Sequence, residues 1–174
     1  SRRLSRLTSG VLEMIRDDRK PPPPRISPQV TDEEIDQTLE QFSPLFAELE
    51  LQDVRDLSAT RLVGLDRDLL EMILVNLLSN VEKYAAAGKR VDIQSRLDGA
   101  RLSIVVQDYG TGIPRRKYRS VFRAFTRLDN SIHAPSGTGI GLTIARAAAR
   151  RHGGGLRLVN SQQGSRFELV LPVQ

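Results

Sequence analysis

The sequence has no cysteine, only two histidines and few aromatic residues. The lack of cysteine excludes disulfide bonds and thiolate metal sites, and it fits a protein of a reducing compartment. No apolar run approaches the ~20 residues that a membrane-spanning helix needs, and no secretory signal peptide is visible. With 174 residues, 39% hydrophobic and 27% charged, the composition is typical of one soluble globular domain with a full core.

Positive charge exceeds negative charge, and the net charge is +5. A basic protein can bind nucleic acid. However, the sequence contains no known nucleic-acid motif, and its acidic residues are interspersed among the basic ones. We therefore expect no nucleic-acid partner. One local basic cluster stands out, formed by residues 115–119 together with Arg123 and Arg127.

The first 24 residues differ in pattern from the rest of the chain. Apolar residues recur there at spacings of three and four: Leu4, Leu7, Val11 and Met14. This spacing suits either a helix that pairs with a partner helix or an ordinary amphipathic helix packed on its own domain. Four consecutive prolines, Pro21–Pro24, then favour a stiff polyproline II segment. We expect an excised part of a longer protein, with a helical end over 1–20, a proline-rich hinge over 21–25 and the main domain over 26–174.

Two helix starts are visible in the main domain. Thr31-x-x-Glu34 is typical of a capping box that opens a helix, and Pro44 is predicted to kink or break that helix. Asp66 is the predicted N-cap of a second helix, which would run to about residue 84.

The remaining pattern predicts strands, a hairpin and a third helix. Strands are predicted near residues 51–55, 61–64, 91–97, 102–106, 155–160 and 165–171, with a hairpin turn at Asp98-Gly99. A short helix is predicted around 116–125, and a third helix from near Gly139 to His152. The order of elements favours an α+β fold in which the helices lie on one face of a mixed, mostly antiparallel sheet.

Polar residues form a stripe on the second helix. Asn76, Asn80 and Lys83 stand at positions i, i+4 and i+7 and so share one face, with Tyr84 beside them. Carboxamide oxygens suit Mg²⁺, which takes its negative ligands from substrate phosphates, and a lysine can meet those phosphates as a point charge. The alternative is that this stripe simply faces solvent.

Asp108 is in phase with the inward-facing residues of its predicted strand, so we expect it to point into the domain. A lone inward carboxylate needs a donor, and the exocyclic amine of adenine fits. Gly110 and Gly112 would let a flat base approach the backbone closely. The alternative is an aspartate that caps the turn at Gly110.

A glycine-rich segment, Gly137-Thr138-Gly139-Ile140-Gly141-Leu142, immediately precedes the third helical pattern. Backbone N–H groups of such a loop, together with a helix N-terminus, bind phosphate well. The spacing does not fit a Rossmann fingerprint, since no strand precedes it and Leu142 stands where another glycine is needed. No Gly-Lys-Ser/Thr follows, which excludes a Walker loop. Together the three motifs predict a site for ATP and Mg²⁺.

The motifs resemble, in this order, the catalytic and ATP-binding domain of bacterial two-component sensor histidine kinases. They are Asn-x-x-x-Asn-x-x-Lys-Tyr, Asp-x-Gly-x-Gly-Ile, Phe122-x-x-Phe125 and Gly-Thr-Gly-Ile-Gly-Leu. The resemblance covers about residues 26–172 and extends to the wider superfamily of gyrase, Hsp90 and MutL. It implies a two-layer α/β sandwich of the Bergerat type, with ATP held between helices and sheet under a lid that Phe122 and Phe125 anchor.

The resemblance also implies roles for residues around the metal and the phosphates. Asn80 matches the Mg²⁺ ligand, and Asn76 lies one turn before it in the same site. Lys83 and Tyr84 match residues that contact phosphate and the base or ribose. Arg127 matches a basic lid residue that reaches the phosphates.

On the adenine side, the resemblance makes Asp108 the residue that reads the base. Gly112 and Ile113 would line the adenine pocket. Ser165 fits the hydroxyl that often joins the aspartate through a water molecule.

By this resemblance the chain would transfer the γ-phosphate of ATP to a histidine on its own dimerisation domain, for relay to a response regulator. Gyrase-type relatives place a glutamate base at the position of Asn76. A carboxamide cannot accept a proton, which favours transfer over hydrolysis. Neither His133 nor His152 lies in an acceptor context, so we expect the acceptor outside this chain.

The parent is expected to be a homodimer anchored in the bacterial inner membrane, with this domain in the cytoplasm. Two alternatives stay open. One is a nucleotide-binding regulatory module without phosphotransfer, and the other is a serine-directed anti-sigma kinase of the same superfamily.

Overall fold

The computed structural model describes residues 22–124 and 139–174, which form three α-helices and seven β-strands. The helices are α1 (Thr31–Glu48), α2 (Arg67–Ala85) and α3 (Gly141–Arg151). The strands are β1 (Ser27–Val30), β2 (Gln52–Ser58), β3 (Leu62–Leu65), β4 (Arg90–Asp98), β5 (Arg101–Asp108), β6 (Gly155–Val159) and β7 (Arg166–Pro172). No helix in these two ranges is long and apolar enough to cross a bilayer.

Five strands form the main sheet in the order β2-β4-β5-β7-β6. The edge pair β2 and β4 is parallel, and the other three pairs are antiparallel. Strands β1 and β3 form a separate antiparallel pair, which is joined to the end of the chain by backbone hydrogen bonds between Gly64 and Gln174. The predicted α+β class with a mixed, mostly antiparallel sheet is confirmed.

The core lies between the helices and one face of the main sheet. Strand alternation sends every second side chain into it, as with Leu102, Ile104 and Val106 of β5, which are 0–1% exposed. Apolar residues of α2 meet them from the other side: Leu69, Leu70, Ile73, Leu74, Leu77 and Leu78. The helices therefore form one layer and the sheet the other, as expected.

The start of α2 is the predicted N-cap. One carboxylate oxygen of Asp66 accepts a hydrogen bond from the Leu69 N–H at 3.1 Å, and the other accepts from the Arg25 N–H at 2.7 Å. The Asp66 N–H donates to Nε2 of His152 at 2.9 Å. In the last turn of α3, Nε of Arg151 donates to the Pro22 carbonyl at 2.9 Å. The segment that precedes β1 is thus bonded to both helices.

Two features of α1 differ from the sequence-based expectations: the capping box is absent, and Pro44 does not break the helix. Strand β1 runs directly into the helix, so Val30 is the N-cap and the Thr31 hydroxyl, which is buried, has no hydrogen-bond partner. Glu34 does not close a capping box but pairs with Arg67 at 2.6 Å. Helix α1 also continues through Pro44 without a break, because apolar contacts on both sides of it hold the helix to the core.

The other elements lie close to their predicted places. The hairpin turns between Asp98 and Arg101, and Gly99 takes the left-handed conformation there, with φ of +56°. Two single-turn 3₁₀ helices, Arg115–Lys117 and Ser120–Phe122, replace the short helix expected around 116–125. Several residues of interest fall outside the described ranges: Leu4, Leu7, Val11, Met14, Phe125, Arg127, His133, Gly137 and Thr138.

Candidate active site

The polar stripe of α2 is only partly exposed, and one of its side chains is held in place. Nδ2 of Asn76 donates to the Met72 carbonyl at 2.8 Å, one turn back along the helix. This bond uses the donor side of the carboxamide and leaves the oxygen to point away from the helix backbone. Asn80 lies one turn further on the same face, so two neutral oxygen ligands are presented side by side.

The beginning of α3 lies against these asparagines. A methyl group added at Gly141 would stand 3.0 Å from Oδ1 of Asn76 and 3.9 Å from Oδ1 of Asn80. The glycine-rich segment therefore leads to the asparagine face, with Gly139 and Leu142 on either side of this contact. A helix N-terminus carries unpaired N–H groups and a partial positive charge, which favours an anion at this point.

Asp108 ends β5 and points inward, as the strand alternation predicts, and it is only 7% exposed. Its Oδ1 atom accepts hydrogen bonds from the N–H groups of Gly110 and Ser165, both at 3.0 Å. Ser165 is therefore joined to Asp108 through its backbone N–H, and the water-mediated contact of its hydroxyl that the resemblance implies stays a prediction. The hydrogen bond from the Gly110 N–H is the turn cap that the alternative interpretation of Asp108 predicts. Asp108 is also buried, so it both caps the turn and points into the domain.

Burial raises the pKa of the Asp108 carboxyl, and the hydrogen bonds from Gly110 and Ser165 lower it. Burial has the larger effect, and the pKa lies above the ordinary value of 3.8. A further hydrogen-bond donor would stabilise the ionised form of this buried carboxylate, because each hydrogen bond offsets part of the desolvation free energy.

Glycines bring the Asp108 turn into contact with the end of α2 and with the loop before β7. A methyl group added at Gly110 would stand 2.8 Å from Cα of Ala85, and one added at Gly112 would stand 2.7 Å from the Gly164 carbonyl. Gly112 also has φ of +74°, which favours glycine. The start of α3 and the Asp108 turn therefore both contact α2, the first beside Asn76 and Asn80 and the second at Ala85.

The remaining described residues of the predicted site lie around this region. Lys83 and Tyr84 are in the last turn of α2, and Tyr84 is 45% exposed. Ile113 packs partly buried against the core. Phe122 is buried, with its carbonyl bonded by the Thr143 hydroxyl at 2.9 Å and its ring 4.8 Å from the Arg146 guanidinium carbon. It is therefore anchored to α3.

The donor set suits a magnesium ion that arrives with a nucleotide. Within the described ranges, no group of three or more acidic or histidine side chains could hold a metal ion. The two carboxamide oxygens beside Gly141 are neutral, so a bound Mg²⁺ would need its negative ligands from elsewhere, and phosphates supply them. The residues therefore fit a metal–nucleotide complex rather than a free metal.

Sequence patterns did not indicate several residues that shape the site. A methyl group added at Gly88 would stand 2.3 Å from the Tyr109 carbonyl oxygen. A methyl group added at Gly164 would stand 2.0 Å from the Asp108 carbonyl oxygen. The buried side chain of Gln107 was also missed, since it points to the outer face of the sheet, where polar residues are ordinary. Of these residues, only Gly164 lies at a place that the sequence marks, the break between the predicted strands 155–160 and 165–171.

Comparison with known proteins agrees with this architecture. Residues 65–174 match the family described as histidine kinase-, DNA gyrase B- and HSP90-like ATPases. The chain belongs to that family, and it is an ATP-binding catalytic domain of the histidine kinase type.

Named relatives support the resemblance seen in the motifs. The chain is 37% identical over 114 residues to the sensor protein KdpD of Escherichia coli (strain K12), covering 65% of this chain and 13% of KdpD. It is 38% identical over 114 residues to the sensor-like histidine kinase SenX3 of Mycolicibacterium smegmatis, covering 64% of this chain and 29% of SenX3. The similarity to sensor histidine kinases is therefore confirmed.

Solved structures share the fold. Full-length ShkA in complex with AMPPNP superposes with a TM-score of 0.82 and 26% identity, covering 98% of this chain and 35% of ShkA. The chain thus spans 13% of KdpD, 29% of SenX3 and 35% of ShkA, a minor part of each of these three proteins.

Proposed function

We propose that this chain is the nucleotide-binding and phosphoryl-donating part of a sensor histidine kinase. It binds ATP with Mg²⁺ and donates the γ-phosphoryl group to a histidine on a dimerisation domain. The phosphoryl group then passes to an aspartate of a response regulator. The parent is a homodimer, anchored in the bacterial inner membrane, with this domain in the cytoplasm.

One observation carries the proposal: the carboxamide oxygens of Asn76 and Asn80 meet the start of α3, and the turn that holds Asp108 packs through Gly110 on the end of the same helix α2. In this arrangement Asp108 reads the adenine amine, and Gly110, Gly112 and Ile113 accept the flat base. Asn80 and Asn76 hold the metal ion, which when bound neutralises phosphate charge. The N–H groups at the start of α3 face the phosphates.

Catalysis in this proposal is positioning and charge neutralisation. Lys83 meets the phosphates, and Tyr84 contacts the base or ribose. The segment with Gly137, Thr138, Gly139, Gly141 and Leu142 wraps the phosphates, and Arg127 reaches them from the lid anchored by Phe122 and Phe125. Asn76 has no basic group with which to activate water, which supports transfer to a nucleophilic imidazole over hydrolysis.

The proposed division of the chain has residues 1–20 as the end of a dimerisation helix, 21–25 as a hinge and 26–174 as the catalytic domain. Within this proposed hinge, Pro22 and Arg25 are bonded to α3 and α2, so residues 22–25 are joined to the catalytic domain.

The test is reconstitution with γ-labelled ATP, Mg²⁺ and a separately supplied dimerisation domain that carries an acceptor histidine. The expected product is an acid-labile, base-stable phosphohistidine on that domain. Asn80→Ala serves as the inactive control. ATP binding by calorimetry without any transfer would instead favour a regulatory nucleotide-binding module, and absence of binding would reject the site.

A further inference from the structure

The side chain of Gln107 is buried in a closed hydrogen-bond network one residue before Asp108. Its exposure is 7%, although it lies on the outer face of the sheet, where its neighbours along β5 are more exposed. The Nε2 atom lies 2.7 Å from the Asp108 carbonyl, 2.7 Å from the Gln163 carbonyl and 2.9 Å from the Ser161 hydroxyl. Gln107 therefore connects its own strand to the loop between β6 and β7.

Ser161 completes the network. Its hydroxyl lies 3.2 Å from Oε1 of Gln107 and 2.7 Å from the Gln163 carbonyl. The carbonyls of Asp108 and Gln163 are thus supplied with donors by one carboxamide, and both ends of that carboxamide contact Ser161. Such mutually bonded groups act as a unit, and loss of one weakens the others.

The loop fixed by this network is the one that carries the partners of Asp108. Regular pairing of β5 with β7 ends at Gln107 and Arg166. Beyond it, Ser165 donates its N–H to the Asp108 carboxylate at 3.0 Å and accepts from the Asp108 N–H at 2.9 Å. Gly164 lies directly over the Asp108 carbonyl, which is the same oxygen that Gln107 binds.

We propose that Gln107 is a positioning residue for nucleotide recognition: it fastens residues 161–165 to β5 and so holds the Asp108 carboxylate in the orientation that receives adenine. The side chain itself lies on the face of the sheet opposite the core and does not touch the nucleotide. The proposal rests on the proposed function, since it assigns the adenine contact to Asp108.

The first test replaces Gln107 by leucine, which has a similar size and no hydrogen-bonding group. ATP binding by Gln107→Leu should weaken about tenfold, and the preference for ATP over GTP should fall by a similar factor. Gln94→Leu is the matched control, because Gln94 lies on the same outer face in β4 and its side chain has no hydrogen bond within the described part of the chain. It should bind both nucleotides within about twofold of the unaltered chain.

A second readout separates positioning from a general loss of stability. The pKa of the Asp108 carboxyl can be followed by ¹³C NMR without nucleotide. Because the Ser165 hydrogen bonds lower that pKa, their loosening in Gln107→Leu should raise it. Three charged residues lie at the same end of the sheet: Arg90, Asp92 and Arg166. The two arginines lower the pKa of Asp92, but none of the three contributes to the pKa shift of Asp108. The Gln94→Leu variant should leave the pKa unchanged.

Ser161→Ala is the second variant, for use if Gln107→Leu does not fold. It removes one member of the network and should change both readouts in the same direction by a smaller factor. The double variant should be little worse than Gln107→Leu alone, since both residues serve one network. An unchanged Asp108 pKa and unchanged ATP affinity in both single variants would overturn the proposal. Failure of the unaltered chain to bind ATP would instead reject the proposed function and leave the pKa readout valid.

Discussion

Gly141 at the start of α3 lies directly against the carboxamide of Asn76 on α2. A methyl group in place of its hydrogen would stand 3.0 Å from the Asn76 oxygen, which is closer than ordinary packing allows. Asn76 cannot withdraw freely, since its amide is bonded to the Met72 carbonyl. The two helices therefore meet at a point where only the smallest residue leaves both carboxamide oxygens unobstructed.

Gly141→Ala should weaken nucleotide binding with little effect on the fold. Alanine favours a helix over glycine by up to about 1 kcal/mol, which offsets part of the crowding. Crowding at the asparagine should still lower ATP affinity at least about fivefold. Calorimetric titration with ATP and Mg²⁺, alongside urea unfolding, measures both effects. Unaltered affinity would show that this contact lies outside the nucleotide site.

Asn80→Ala should remove the dependence of nucleotide binding on Mg²⁺. The variant loses a neutral oxygen ligand but no buried apolar group, so its free energy of unfolding should change by less than about 1 kcal/mol. Its ATP affinity with Mg²⁺ should fall to that measured with EDTA. Asn160→Ala, at an exposed position after β6, is the control and should keep the response to Mg²⁺. A full response in Asn80→Ala would reject the metal assignment.

Asp108→Asn should preserve the turn and impair base recognition. The asparagine oxygen can still accept from Gly110 and Ser165, while its amide presents a donor where adenine also presents one. ATP affinity should fall about tenfold to hundredfold, and selectivity over GTP should fall with it. Competition of unlabelled nucleotides against a fluorescent ATP analogue measures both. Selectivity equal to that of the original chain would assign base reading to another residue.

The pH dependence of ATP binding should follow the same carboxyl group. The ionised carboxylate is the stronger acceptor for the adenine amine, and burial raises the pKa of Asp108 above 3.8. Binding should therefore weaken as pH falls through that raised pKa, and Asp108→Asn should lack this acid limb. Titration of Kd between pH 4.5 and about 8 tests it, and an identical acid limb in both proteins would contradict it.

His152 should make the fold less stable in mild acid. Burial lowers its pKa below 6.5, and Nε2 accepts from the Asp66 N–H, so the native state resists a proton that the unfolded chain accepts. The free energy of unfolding should thus fall as pH drops below about 6.5, by up to about 1.4 kcal/mol per unit. His152→Gln keeps an acceptor and cannot titrate. Urea unfolding at pH 7.5 and 5.5 should show a smaller difference for it, and equal differences would exclude His152 as the cause.

Elements whose structure depends on a few neighbouring residues could be predicted from the sequence. Asp66 caps α2 through its own side chain, and Asp98-Gly99 marks a turn that needs a left-handed residue, so both could be predicted from a few neighbouring residues. The motif residues of α2, β5 and α3 could likewise be predicted to converge, because their order matched a known family.

Elements fixed by distant contacts could not be predicted in this way. Thr31 has the sequence of a cap, yet α1 is fixed by long-range contacts, such as the Ser95 hydroxyl donating to Asp32 at 2.5 Å. Pro44 breaks no helix, since Phe42 and Phe46 pack together across it with ring centroids 5.6 Å apart. The network of Gln107 joins residues more than fifty positions apart, and no local pattern encodes such a pairing.

The tethers of Pro22 and Arg25 have a mechanical consequence. Arg25 is bonded to the cap of α2 and Pro22 to the last turn of α3, whereas Asn80 and Gly141 lie at the opposite ends of these two antiparallel helices. The first bonds between the described chain and the helical layer are therefore made at the ends of α2 and α3 that lie away from Asn80 and Gly141. A displacement of residues 22–25 would act on this helix pair from the end opposite the carboxamides and the glycine.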